Sequence, residues 1–143
     1  MANIHRLDQH AKAVTAITSP VTGTNDALAN GDGAAIDTKG FTHALFIVSV
    51  SSKADGKATF GVKECATAAG IYSAVIANST VGWAPAGAAT NRVFVISVDC
   101  RKRLRYLKIN VADIAGTVNG AVSCLLYNAD FKPVVQAVAA AAI

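Results

Sequence analysis

The clearest pattern in the sequence is the alternation of apolar and polar residues between residues 41 and 129. In THALFIVSVSS, Leu45 and Ile47 fall on one face of an extended chain, and Phe46 and Val48 fall on the other. Both faces are apolar, which is typical of a strand that is covered on both sides. We therefore predict a buried strand here.

RVFVISVD alternates just as regularly, with Val93 and Val95 on one face and Phe94 and Ile96 on the other. Further strands are predicted for AAID (34–37), KATFGVKEC (57–65), IYSAVIA (71–77), RLRYLKINVA (103–112) and AVSCLLYNA (121–129). Gly-, Asn- and Pro-containing stretches separate these segments and indicate turns.

About seven short strands without long helical periodicity predict an all-β fold, a β-sandwich of jelly-roll-like type. The spacing of the strands does not give their order. Residues 1–33 have little periodicity and are interpreted as an N-terminal arm, with 34–130 as the sandwich domain. Residues 131–143, which contain Pro133, are interpreted as a C-terminal arm.

The composition suggests a surface that other subunits cover. Only 15% of the 143 residues are charged, against about 25% in a typical soluble domain. Interface cores are depleted in charge, so self-association is predicted; a compact, weakly charged monomer is the alternative. The net charge of +4 comes from one basic segment, which restricts acidic partners to one place.

The three cysteines, Cys65, Cys100 and Cys124, are far apart in the sequence, and no two of them form a CxxC motif. They are expected to be buried, reduced thiols in a reducing compartment, and neither disulfides nor zinc ligands. The N-terminal sequence is polar and does not resemble a signal peptide. No apolar stretch reaches the roughly 20 residues that a membrane span needs, so no membrane association is expected.

Catalytic chemistry finds little support. The histidines are His5, His10 and His43, so none lies in the C-terminal half, and no nucleophile-elbow motif is present. His43 is interpreted as a structural polar residue, and no enzyme activity, cofactor or metal is expected.

Two further features allow more than one reading. Asp26, Asp32 and Asp37 could supply oxygen ligands to calcium, but they lack the EF-hand order, and a plain turn is the favoured interpretation. Trp83, in the loop VGWAPAG, is the only tryptophan. It could anchor an interface or cap the end of the sandwich core.

DCRKRLRYLK, residues 99–108, is the most unusual stretch of the chain. Its basic residues are Arg101, Lys102, Arg103, Arg105 and Lys108. Nucleic-acid binding would favour interleaved aromatic residues or a broad basic face, whereas Tyr106 is the one aromatic here. We therefore predict a protein–protein contact through Arg101, Lys102, Arg103 and Arg105, with no nucleic-acid binding; a solvated turn is the alternative.

Residues 40–77 and 98–130 resemble small structural proteins of tailed bacteriophages. The matching pieces are Gly40–Phe41, Arg105–Tyr106–Leu107, Gly116–Thr117 and Ala121–Val122. The resemblance implies a β-sandwich, often trimeric, that cements or decorates the capsid by binding the major capsid protein. It implies no catalytic residues, and the two arms depart from the shared part.

The function expected on these grounds is that of a capsid cement or decoration protein, located on the virion surface and assembled in the host cytoplasm. Two alternatives stay open: another virion component of the tail, fibre or head-completion type, and a carbohydrate-binding jelly roll. The second would use aromatic residues on loops, for which Trp83 and Tyr72 are the candidates. Reversal of Arg101 and Arg103 to Glu is expected to weaken capsid attachment or oligomerisation without loss of the β-fold.

Overall fold

The computed structural model of the protein describes residues 11–17, 28, 30–53, 57–85, 87–112, 114 and 118–129. The predicted C-terminal arm, 131–143, and residues 1–10 of the predicted N-terminal arm lie outside this part of the chain. The strands are β1 (Ala11–Ile17), β2 (Gly31–Asp32), β3 (Ile36–Asp37), β4 (Phe41–Lys53), β5 (Ala58–Cys65), β6 (Val81–Trp83), β7 (Ala89–Asp99), β8 (Tyr106–Ala112) and β9 (Val118–Ala129). One short 3₁₀ turn, Cys100–Lys102, follows β7.

The strands form two antiparallel sheets that pack face to face. Sheet A has the order β1-β9-β4-β7, and sheet B has the order β2-β8-β5-β6, with β3 also paired to β8. The chain passes between the sheets at six of its eight strand connections, and this order is that of a jelly roll whose second strand is split into β2 and β3. The predicted all-β sandwich is therefore confirmed.

The core lies between the two sheets and is built from the inward residues of each alternating strand. Its largest fully buried side chains include Phe46 of β4, Phe60 of β5, Leu107 and Ile109 of β8, and Leu126 of β9. The period-2 patterns seen in the sequence are thus the inner faces of the sheets. β-branched and aromatic residues fill this layer because they suit a pleated, buried surface.

A β-bulge lies between the two central strands of sheet A. Val50 pairs with Gly120 and Ser52 pairs with Asn119, so Ser51 is the extra residue. The Ser51 hydroxyl donates to the Asn119 carbonyl at 3.2 Å, and the Asn119 amide donates to the Ser52 hydroxyl at 2.9 Å. These two side-chain hydrogen bonds therefore stabilise the bulge.

Three local predictions need correction. Residues 11–17, placed in the arm, form β1 and pair with β9. Residues 71–77 contribute an isolated bridge, Lys63 to Val75, and no strand. β4 is not covered on both sides, since Phe46 is fully buried while Leu45 and Ile47 on the opposite face are only half-buried.

Residues 66–80 run beside β5 and partly over the outer face of sheet B. Tyr72 is buried there, with the Lys108 ammonium 4.4 Å from its ring centroid. Val75 packs over Gly61, where a Cβ atom would overlap it. The apolar residues of 71–77 suggested a strand, but they belong to a loop that packs on sheet B.

Candidate protein interface

The basic segment, residues 99–108, leaves the end of β7 in a turn that Asp99 caps. The Asp99 carboxylate accepts from the Arg101 backbone amide at 3.1 Å, and the Arg103 amide donates to the Cys100 carbonyl at 3.2 Å. Aspartate suits this position because its side chain satisfies an amide that the short helix leaves unpaired. The cap therefore fixes the direction in which the following basic residues leave the turn.

Two of the arginines make bidentate ion pairs within the chain. Arg101 donates to both carboxylate oxygens of Asp99, at 2.9 and 2.6 Å. Arg105 contacts Asp37 in the same way, at 2.8 and 2.6 Å. These guanidinium groups hold the pKa of Asp37 and of Asp99 below the usual value near 3.8. The pairs are exposed, so the free energy that each contributes to folding is small.

Arg103 and Lys102 are less strongly paired with carboxylates of the chain. An Arg103 guanidinium nitrogen lies 3.6 Å from the Glu64 carboxylate, which also accepts from the Leu104 amide at 2.9 Å. Among the described residues, Lys102 has no ion pair or hydrogen-bond partner. Lys102 is thus the cation of the segment that is most available to another molecule.

The pairings leave little excess charge in the segment. Five basic residues, at 101, 102, 103, 105 and 108, meet three carboxylates, at 37, 64 and 99, so the excess is two charges. A phosphate-binding surface needs uncompensated cations. The aromatic rings are also engaged, with Lys108 over Tyr72 and Arg105 5.0 Å from the Tyr106 centroid.

A shallow cleft of about 230 Å³ lies beside the turn. Its walls come from the loop 76–79, from the end of β7 and from the turn itself, where Lys102 and Arg103 line it. Asn78, in the left-handed region at φ 61°, shapes the loop wall. Lys102 and Arg103, the cations of the segment with the weakest pairing inside the chain, therefore lie at the edge of this cleft. The cleft is large enough to admit one side chain.

Trp83 lies apart from the basic segment, on β6. Its ring centroid is 5.9 Å from that of Phe94 on β7, and Phe94 is 6.2 Å from Phe60 in the core. Trp83 is half-buried and packs against the core cluster. Of the two readings of its sequence position, this contact favours the cap on the sandwich core.

The remaining candidates are engaged in local contacts. His43 stacks on Tyr127, with ring centroids 5.2 Å apart, and its Nδ1 lies 2.8 Å from the Thr42 hydroxyl. Asp32 pairs with Lys63 at 3.0 Å, and Asp37 with Arg105; Asp26 lies outside the described residues. In the described part of the chain no group of three or more metal-ligating side chains comes together.

The cysteines have unequal environments. Cys100 and Cys124 are buried, and burial raises the pKa of the Cys100 thiol to about 11 and that of Cys124 to about 12. Cys65, at the end of β5, is only partly buried, so the prediction that all three are buried is wrong for this residue. All three are free thiols.

This difference predicts selective labelling. At pH 8, native Cys100 and Cys124 are expected to react with a maleimide or iodoacetamide at least about 100-fold more slowly than a thiol with an ordinary pKa near 8.5, because the thiolate is the nucleophile. Cys65 should react first. Peptide mapping of a time course measures this, and Cys65→Ser should remove the early modification. Equal rates at all three sites in native protein would contradict the burial.

The outer face of sheet A is a surface that the sequence pattern did not reveal. Cross-strand pairing places nine positions in three rows: Leu125, Leu45 and Ser97; Ser123, Ile47 and Val95; and Ala121, Ser49 and Val93. None of the nine is charged. Val93 is 65% exposed and Val95 is 58% exposed. Six of the nine positions are apolar and three are serines, and exposed apolar surface marks interaction sites.

No protein-family model matches the chain, and the curated proteins include no significant relative. The described residues contain no helix that is both long enough and apolar enough to cross a membrane.

Proposed function

We propose that the chain is a structural protein of a tailed-bacteriophage virion, a cement or decoration protein that binds the major capsid protein on the outside of the head. The uncharged patch of nine positions on the outer face of sheet A is the observation that carries the proposal, because a surface of this composition is suited to protein contacts. The jelly-roll sandwich agrees with it by analogy alone, since viral capsid proteins and lectins share this architecture.

The proposed mechanism is mechanical. A stiff sandwich that contacts neighbouring capsid subunits adds buried surface to the shell, and a ligand that binds only the assembled state stabilises that state by mass action. A specific interface buries about 1,200–2,000 Å² in total. The resemblance further implies three copies at each site on the capsid, and that number concerns the capsid-bound protein.

Lys102 and Arg103, at the mouth of the cleft, are the proposed contact to a carboxylate of the capsid protein. Arg101 and Arg105 already form ion pairs with carboxylates of their own chain, so their guanidinium groups are less available to a partner's carboxylate. Arg pairs with carboxylates more strongly where water is partly excluded, and the concave site provides such a position.

The carbohydrate-binding alternative has less support. Such a module would present aromatic rings as open platforms. Tyr72 is buried beneath the Lys108 ammonium, and Trp83 packs against Phe94. Neither ring is presented as an open face.

The test uses the phage whose genome encodes the chain. Purified virions should contain the protein on the head, and heads made without it should take it up from solution. Lys102→Glu is expected to weaken this uptake about tenfold or more, through loss of one cation and repulsion of the partner's carboxylate. Arg92→Glu, the same charge change at the other end of β7, is the matched control and should bind normally.

Reversal of Arg101 or Arg103 is a less clean test, because Glu would then face Asp99 or Glu64 within the chain. Absence of the protein from purified virions would refute the proposal, and a location in the tail would favour the other virion roles. Sub-micromolar binding to duplex DNA at about 150 mM salt, abolished by Lys102→Glu, would overturn the protein-contact reading. Non-specific binding at that salt has a Kd of roughly 10⁻⁴–10⁻⁶ M.

A further inference from the structure

Two open sheets have four edges, and an unprotected edge strand is a template for pairing with another chain. Natural proteins protect such edges with short strands, bulges, charges, proline or covering segments. Three of the four edges in this sandwich are protected in this way along their length, and the fourth only near its ends.

The β1 edge of sheet A is irregular and partly covered. Its register with β9 shifts between residues 15 and 17. The Ala16 carbonyl accepts a hydrogen bond from the Ala34 amide at 3.0 Å. Another strand could not pair with β1 along its whole length without breaking this contact.

Both edges of sheet B are short. β2 and β3 have two residues each, and β6 has three. Beyond β6 the loop takes over the side of β5, where the Ile76 amide donates to the Val62 carbonyl at 2.7 Å and the Ser79 hydroxyl accepts from the Val62 amide at 3.1 Å. Neither edge offers a long row of unpaired backbone groups.

The β7 edge carries such features only near its ends, at Asn91, Arg92 and Asp99. β7 has eleven residues and keeps one antiparallel register with β4 from residue 89 to residue 99, interrupted only at Asn91, which lies in the left-handed region at φ 53°. Its central stretch, VFVISV (93–98), contains no charged residue, glycine or proline. Within the described part of the chain, β7 pairs with β4 alone, and no backbone hydrogen bond reaches its other side.

The side chains beside this edge are also suited to contact. Val93 and Val95 belong to the outer face of sheet A and are 65% and 58% exposed. They are the most exposed large apolar residues in any strand of the described structure. Paired strands gain stability from β-branched neighbours across the ladder, so pairing at this edge would bury both valines as well as the backbone groups.

We propose that two copies of the chain associate through β7, edge to edge and antiparallel, so that their A sheets form one continuous eight-stranded sheet. The occupant is a second copy because the edge is self-complementary: a twofold axis near Phe94 places Val93 of each copy beside Val95 of the other. The other edges are protected, so a head-to-tail ring has no second strand to use. The assembly therefore closes at two copies.

This contact goes beyond the proposed function and needs no capsid to form, although Val93 and Val95 also belong to the outer face on which that proposal rests. Its stoichiometry of two concerns the free protein, whereas the three copies that the resemblance implies concern the capsid-bound protein. Loss of the β7 contact would leave the virion proposal standing, and absence from virions would leave the β7 contact standing.

The experiment is sedimentation equilibrium of the full chain from about 1 to 100 µM, with circular dichroism as a check on folding. The wild type should approach twice the monomer mass of 14.6 kDa. The double variant Val93→Lys/Val95→Lys, which adds the charge that natural edge strands use for protection, should raise the dissociation constant at least tenfold and keep the β-sheet spectrum.

Two controls separate edge pairing from other contacts. Ile71→Lys adds the same charge at an 88% exposed residue of the loop and should not change the mass. Ala121→Lys changes the same outer face but lies two strands from the edge, so edge pairing should survive it, whereas face-to-face packing should not.

A monomer at all concentrations, a trimer that the valine variants do not affect, or a dimer that Ala121→Lys abolishes while the valine variants do not would each overturn the proposal. Hydrogen exchange gives an independent readout. Those amides of residues 92–98 that point away from β4 should become at least tenfold more protected as the wild type dimerises, and the same amides in Val93→Lys/Val95→Lys should not.

Discussion

Replacing Phe60 by alanine is expected to lower the free energy of unfolding by about 3–5 kcal/mol, the usual cost of deleting a buried phenylalanine. Phe60 is fully buried on β5, and its ring is one of a series that continues to Phe94 and then to Trp83. The cavity would open between the sheets, where the Phe60 ring contacts Phe94. The free energy of unfolding of a whole domain is only about 5–15 kcal/mol, so the variant should be marginally stable.

Urea or thermal unfolding monitored by circular dichroism measures this effect, and the midpoint should fall by roughly 10–20 °C. Ile71→Ala is the control, since Ile71 is 88% exposed and surface substitutions stay within about 0.5 kcal/mol. A Phe60→Ala loss below about 1 kcal/mol would mean that the two sheets do not pack through this residue.

Gly120→Ala is the second change with a large expected effect. Gly120 lies on β9 opposite the bulge of β4, and a Cβ atom there would overlap the Ser49 carbonyl oxygen and lie 3.0 Å from the Val50 Cα. Both neighbours are backbone atoms of the partner strand, so the strands must separate to admit a methyl group. Overpacking of this kind costs about 1–3 kcal/mol, and more when backbone must shift.

Gly82→Ala provides the matched control for that experiment. Gly82 is also a strand glycine, on β6, but its added Cβ would meet nothing closer than 3.8 Å. Alanine should therefore be neutral or slightly stabilising there, because it reduces the freedom of the unfolded chain. Equal effects of the two substitutions in equilibrium unfolding would contradict the close approach of β4 and β9.

The sequence predicted the long strands well because each has one fully buried face. β5, for example, buries Phe60 and Val62 and turns Lys63 outward, which is the alternation that the sequence displays. β6 was missed, since three residues within a Gly- and Pro-rich stretch are too few to show a period. IYSAVIA was misassigned because Tyr72 and Ile76 are buried by a loop's contacts with sheet B, and hydrophobicity alone does not distinguish such a loop from a strand.

The position of the candidate interface could be predicted from the sequence, but the extent to which nearby carboxylates neutralise its basic residues could not. Two of the three carboxylates that pair with the basic segment, those of Asp37 and Glu64, come from residues far away in the chain. They reach it because Asp37 pairs with Tyr106 and Glu64 with Leu107 across the ladders of sheet B. Strand order determines this neutralisation, and strand order is not encoded in the spacing of the segments.

The position of β9 between β1 and β4 has a consequence for how the chain reaches its folded state. β1 and β9 are paired although Ala11 and Tyr127 are 116 positions apart. During synthesis, β1, β4 and β7 leave the ribosome before the strand that joins β1 to β4 exists, so sheet A cannot be completed until β9 emerges. Proteins dominated by such distant pairings fold slowly, in milliseconds to seconds, and expose aggregation-prone strands meanwhile. We expect the nascent chain to depend on chaperones up to that point, and β9 to be the strand whose arrival commits the molecule to its native form.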